Sequence, residues 1–208
     1  MMPRVLSILP LLLVPLALTA AETEKIRNDH AVVTEDILAP GESRAIRGDL
    51  PSVTVYSQAG TVEVTVAGGK PSSVAVKQGD VAFLPPQSRT IRNAGAGPLR
   101  IVRVDLPGKG SSETWGSAGI PNYKLLLENR YARVYNIHVA AGATEPQHTH
   151  KNRVVVCLSG ADLIHTMPDG KQEAATLTTG EIDWRRGATH IGHNIGKTDL
   201  WVIAIEPK

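Results

Sequence analysis

Gly142-Ala143-Thr144-Glu145-Pro146-Gln147-His148-Thr149-His150, with Trp184-Arg185-Arg186-Gly187-Ala188-Thr189-His190 further on, carries most of the information in this chain. His148 and His150 are one residue apart, so on a strand both rings point to the same face. His190 follows His150 by 40 residues, enough chain to turn and place a third imidazole beside the first two. Neutral imidazoles suit Zn, Fe, Ni, Cu or Mn, and three of them leave positions open for water or another ligand.

Outward from these stretches the sequence reads as one strand after another. Thr61-Val62-Glu63-Val64-Thr65-Val66 alternates polar and apolar residues, the period of a half-buried strand. Arg100 to Leu106 and Leu200 to Ile205 are rich in Val and Ile, and Ala67-Gly68-Gly69-Lys70 and Pro168-Asp169-Gly170-Lys171 mark turns. The best rival for a helix, Tyr123 to Tyr135, is too crowded with β-branched and aromatic residues. An all-β chain is expected.

A shift of 101 residues lays one half of the chain on the other. It puts Asn28 on Asn129, Ala31 on Ala132, Val33 on Val134, Gly41 on Gly142, Gly79 on Gly180, Asn93 on Asn194 and Leu99 on Leu200. Gly60 pairs better with Gly160, which suggests a slip of one residue in between. A period this long signals duplicated domains. The expected organisation is a first domain over residues 26–107, a Gly/Ser-rich linker over 108–121 and a second domain over 122–208.

Gly142-x5-His148-x-His150 followed by Gly160 resembles the first motif of the cupin superfamily. Gly180, then Trp184 to His190 and Asn194, resembles the second. The resemblance implies two antiparallel β-barrels in tandem, each a double-stranded β-helix or jelly roll. It also implies one divalent metal inside the second barrel, held by His148, His150 and His190. Two departures stand out. The glutamate that cupins commonly carry after H-x-H is replaced by Arg153 or Val154, depending on where the slip falls, and Arg186 stands where a proline is usual.

In the first half, Arg47, Asp49 and Arg89 fall on the three histidines. Arginine stays protonated and offers no lone pair, so the first barrel should hold no such metal. It reads as a structural remnant in which Asp49 pairs with Arg47 or Arg89, or else as an anion pocket. Arg153 and His165 are the candidates for a catalytic role beside the metal; His193 should face solvent and His138 the rim.

The first 21 residues form a separate segment. Arg4 precedes the apolar run Val5 to Leu18, and Thr19, Ala20 and Ala21 suit a signal peptidase. The run is shorter than the roughly 20 apolar residues that span a bilayer, so no stable span is expected after cleavage. The mature protein should be exported, to the periplasm or beyond. Cys157, the sole cysteine, can form no disulfide within the chain and suits a buried apolar position.

With 22 basic and 20 acidic side chains and no basic stripe, a nucleic-acid partner is not expected. Three neutral ligands leave a divalent ion its full charge, so a small anionic ligand is. That ligand is either the substrate of a metal-dependent enzyme, with a dioxygenase favoured over a lyase or isomerase, or the cargo of a non-catalytic periplasmic binding protein. A homo-oligomer is compatible with either reading.

Overall fold

The structure, a computed structural model, describes residues 22–113 and 120–208. The expected signal segment and Trp115 of the linker lie outside the described residues. The first half forms β1 (Thr23–Arg27), β2 (Val32–Leu38), β3 (Ser43–Ile46), β4 (Ser52–Tyr56), β5 (Gly60–Val66), β6 (Ser72–Val76), β7 (Val81–Leu84), β8 (Arg89–Asn93) and β9 (Leu99–Asp105). The second half repeats the set as β10 (Tyr123–Glu128), β11 (Ala132–Val139), β12 (His148–His150), β13 (Arg153–Ser159), β14 (Ala161–Thr166), β15 (Gln172–Leu177), β16 (Ile182–Arg185), β17 (Ala188–Asn194) and β18 (Leu200–Pro207). No helix occurs among the described residues. The stretch Tyr123 to Tyr135 is a hairpin, as its β-branched and aromatic content favours.

Each half is a jelly roll of two antiparallel sheets. In the first, the five-stranded sheet has the order β1-β2-β9-β4-β7 and the four-stranded sheet β3-β8-β5-β6; β10-β11-β18-β13-β16 and β12-β17-β14-β15 repeat them. The suspected slip at Gly60 is not present. Val62 pairs with Asn93 and Leu163 with Asn194, while Gly60 pairs with Val76 and Ala161 with Leu177, so the shift of 101 holds there. The ladders differ elsewhere. Ser43 opposes Arg92 and Ile46 opposes Arg89, whereas Thr144 opposes His193 but His148, not Gln147, opposes His190. The extra residue bulges between Thr144 and His148, and it sets two histidines directly opposite each other.

The residues that repeat along the chain are those that satisfy the backbone. Asn93 and Asn194 are fully buried, and each amide donates to two carbonyls: Leu38 and Gly97 for Asn93, Val139 and Thr198 for Asn194. Their Oδ1 atoms accept from Gly95 N and Gly196 N. A buried turn closed this way leaves no backbone group unpaired, which explains the identity at both positions.

Strand alternation divides the core. Along β13, Val154, Val156 and Leu158 point one way and Val155 and Cys157 the other. The second set joins Ile137, Leu163 and Val202 inside the second barrel. The first set does not face solvent. It packs with Ile203 and Ile205 against Val53, Val55, Val102 and Val104 of the first half. The central strands are thus buried on both faces, which is why Val154 to Leu158 is a continuous apolar run. A large core therefore lies between the barrels.

Contacts across this core come in repeat-related pairs. Phe83 stacks on Tyr131 with ring centroids 6.0 Å apart, and its counterpart Trp184 stacks on His30 at 5.6 Å. Likewise Gly79 sits against Trp201, and Gly180 against Arg100, whose guanidinium donates to the Gly180 carbonyl at 2.8 Å. The halves therefore face each other in the self-complementary manner of a two-fold dimer.

Candidate metal centre

β12 and β17 pair antiparallel inside the second barrel, with His148 opposite His190. His150 lies two residues along the same face of β12. All three rings are buried, and one nitrogen from each lies within 4.8 Å of the other two. The ring centroids stand 4.6 Å (His148–His150), 4.7 Å (His148–His190) and 5.2 Å (His150–His190) apart. The three residues singled out by spacing are therefore brought together.

The donor set fits a divalent transition metal. His148 Nδ1 lies 2.8 Å from the Pro146 carbonyl, which can only accept, so the ring proton sits on Nδ1 and Nε2 carries the lone pair. The His148 and His150 Nε2 atoms are 2.9 Å apart. Two nitrogens each about 2.05 Å from one ion and at right angles would stand about 2.9 Å apart. Burial pushes all three histidines toward the neutral form: His148 falls below its ordinary value, His150 falls well below it, and His190 falls to about 3. The Arg153 charge reinforces the shift at each ring. Proton competition with a metal is accordingly weak, and the site should stay loaded at lower pH than free imidazoles would allow.

A cavity of about 170 Å³ opens beside the histidines, lined among others by Tyr123, Glu145, Arg153, Val155, Leu163 and His165. Both catalytic candidates from the sequence are in it. His165 lies flat on His190, with centroids 4.2 Å apart and an interplanar angle of 8°, so it fixes the ring plane of a candidate ligand. Arg153 Nη1 donates to the carbonyls of Lys151 and Arg186, both at 3.3 Å, and no carboxylate pairs with it. With the register fixed, Val154 is turned into the core between the barrels, and Arg153 is the residue that faces the cavity. Burial lowers the Arg153 pKa to about 10, still cationic at neutral pH.

Two cavity residues were not found by sequence reasoning. The Tyr123 hydroxyl is 3.1 Å from His148 Nε2 and 3.2 Å from His150 Nε2, and burial holds the phenol protonated. Nothing in the sequence links it to the histidines, 25 residues on; the packing of the β10–β11 sheet against the β12–β17 sheet does. Glu145 precedes His148 by three residues, in a stretch that gave only the histidines away. Burial pushes its carboxyl up to about 7, against a hydrogen bond from Asn122 and the Arg153 charge. His193 is exposed, as expected; His138, expected on the rim, lies within β11, exposed and stacked on Trp201 of β18 at 5.0 Å.

The first barrel has no matching centre. Arg89 donates to the Pro85 and Gln87 carbonyls, at 2.6 and 3.1 Å, and Asp49 forms no ion pair with Arg47 or Arg89. The expected Asp49 pairing is therefore corrected: the guanidinium closes its own turn instead. Tyr56, at the position of Cys157, and Ile46 fill the interior. Cys157 is buried and free, and burial raises its thiol to about 11, which makes it inert.

No family model and no curated protein matches this chain. Many solved structures do match. A cupin 2 conserved barrel domain protein from Leptotrichia buccalis aligns with 91% of this chain and 89% of its own, at TM-score 0.60 and 12% identity. AerE from Microcystis aeruginosa aligns with 91% of this chain and 98% of its own, at TM-score 0.63 and 12% identity. Oxalate decarboxylase of Bacillus subtilis, a protein with Mn(II) centres, aligns with 85% of this chain and 68% of its own, at TM-score 0.58 and 16% identity. The fold of both halves together is that of two-barrel cupins.

Proposed function

We propose that this chain is an exported, metal-dependent enzyme that acts on a small carboxylate in the second barrel. His148, His150 and His190 hold one divalent transition metal, and the first barrel holds none. The observation that carries the reading is the cavity itself, where His150 and His190 of the buried three-histidine cluster share the lining with a guanidinium that has no carboxylate partner. A bound ion supplies Lewis-acid or redox chemistry, and its +2 charge is not reduced by any ligand in the set. Arg153 adds a second positive centre, so a carboxylate entering the cavity is attracted from two sides. About 170 Å³ is close to the ~150 Å³ that accommodates a benzene ring. Leu163, Val155 and Val202 keep the inner wall dry, which strengthens both attractions. The chemistry favoured is oxidation by dioxygen; the similarity to a decarboxylase supports a small carboxylate but not one reaction.

Metal content and anion titration test this together. One metal per chain is expected, falling toward zero in His148→Ala and unchanged in Arg47→Ala. Acetate should bind the loaded protein at least about tenfold more tightly than it binds loaded Arg153→Ala. Two metals per chain, or equal acetate binding in both proteins, would refute the reading. Oxygen uptake with small carboxylates separates an oxygenase from a binding protein that shows no turnover.

A further inference from the structure

Glu145 is 7% exposed and its Oε1 atom has no hydrogen-bond partner, although the side chain lines the cavity that Arg153 also lines. Buried carboxylate oxygens are expensive to leave unpaired, and each such atom calls for an explanation. The local backbone is shaped to keep this one in place. Gly192 sits in the middle of β17, where glycine weakens a strand, and it accepts from Glu145 N at 2.7 Å. A Cβ at Gly192 would fall 2.4 Å from Glu145 Oε2, so any side chain there would evict the carboxylate.

The first barrel shows what the same positions do without a ligand to serve. There the counterpart of Glu145 is Arg44, that of Gly192 is Ile91, and that of Ile137 is Asp36. Arg44 opposes Ile91 and is neutralised by Asp36 at 2.8 Å. In the second barrel the charge at the Arg44 position is reversed, its ion-pair partner has become the apolar Ile137, and the bulky neighbour has become glycine. Three coordinated differences thus leave a buried carboxylate in the cavity wall without an ion-pair partner.

We infer that the cavity is built for a small hydroxycarboxylate, with Arg153 taking the carboxylate and the Glu145 carboxyl group taking the hydroxyl. This rests on the proposed function and names the substrate class of that site. Arg153 and Glu145 line one cavity yet form no ion pair with each other, so a ligand can lie between them. A hydroxyl meets Glu145 whether the carboxyl is ionised or protonated, because it both donates and accepts.

Titration calorimetry of the metal-loaded protein with glycolate and with acetate at pH 8 tests this, repeated on Glu145→Ala. Glycolate also chelates metal ions better than acetate, but that advantage is common to both proteins and cancels in the ratio of ratios. The glycolate preference should drop by about tenfold or more in Glu145→Ala. It should also drop, though less, in the isosteric Glu145→Gln, and in Gly192→Ala, which displaces the carboxylate. Should Glu145→Ala fail to fold, Glu145→Gln decides. A preference unchanged in a variant that retains its metal overturns the assignment while leaving the proposed function intact. If neither acid binds the wild-type protein, both fall.

Discussion

Acid should destabilise the metal-free protein through its buried histidines, and His190 allows the size of the effect to be worked out. Burial lowers its pKa from 6.5 to about 3, so in the folded state the ring stays neutral where in the unfolded chain it takes a proton. Stability from this residue is therefore present above the unfolded value and lost as pH falls below it. Between pH 7 and pH 5 the loss is about 2 kcal/mol, at about 1.4 kcal/mol per pH unit. The figure does not depend on the folded value as long as that stays below about 4. His148, His150 and His165 are lowered too and act in the same direction. Glu145 acts against them: its carboxyl, raised to about 7, takes up a proton in the folded state first and returns about 2 kcal/mol over the same interval. Urea unfolding of chelator-treated protein at pH 7, 6 and 5 measures the sum. His190→Ala should lose about 2 kcal/mol less than the wild type across that range. Equal pH slopes in the two proteins would refute the claim that the ring is held neutral by burial.

Gly79 and Gly180 have φ of +83° and +87°, so alanine is strained at both, but the neighbours differ. A Cβ at Gly79 would fall 2.5 Å from the Trp201 ring, and one at Gly180 would fall 2.8 Å from the guanidinium at the far end of the Arg100 side chain. Denaturant unfolding should find Gly79→Ala more destabilising than Gly180→Ala by about 1 kcal/mol; the reverse order would contradict the packing described. The second half expressed alone, residues 122–208, should lack a cooperative unfolding transition because one face of its five-stranded sheet loses its cover. A sharp transition equal to that of the full chain would show the shared core to be dispensable.

Most of the fold was legible because each clue was local. Alternation at Thr61 to Val66 and the turn residues specify strands, and the shift of 101 specifies two copies of one domain. The three histidines were legible for the same reason: two share a strand face, and the third lies where a jelly roll must return. What stayed hidden depends on partners distant in sequence. The slip suggested by Gly60 came from matching residue types, and only strand pairing shows that Gly60 is the counterpart of Ala161. Arg153 and Val154 are adjacent and equally plausible in a row of letters, yet alternation sends one into the cavity and the other into the core between barrels. Glu145 was invisible because its role lies in what it lacks, a cation at the position of Ile137.

The first barrel lacks the three histidines but keeps its outer sheet. Val154, Val156, Leu158, Ile203 and Ile205 are almost entirely shielded from solvent, and they share one core with Val53, Val55, Val102 and Val104 of the first half. Re-exposing side chains of this kind costs about 1.5–3 kcal/mol each, so five of them approach the 5–15 kcal/mol that a whole domain possesses. The same strands form the cavity wall, since Arg153, Val155 and Val202 alternate with the shared-core residues of β13 and β18. A side chain in the cavity is therefore held by a backbone whose other face is clamped. In the first barrel, Arg47, Asp49 and Arg89 stand near the places of the histidines without disturbing Val53, Val55, Val102 or Val104, which point the other way. Substitutions on the inner face of that barrel leave the clamp intact, whereas substitutions on its outer face reach the cavity beside the three histidines through β13 and β18.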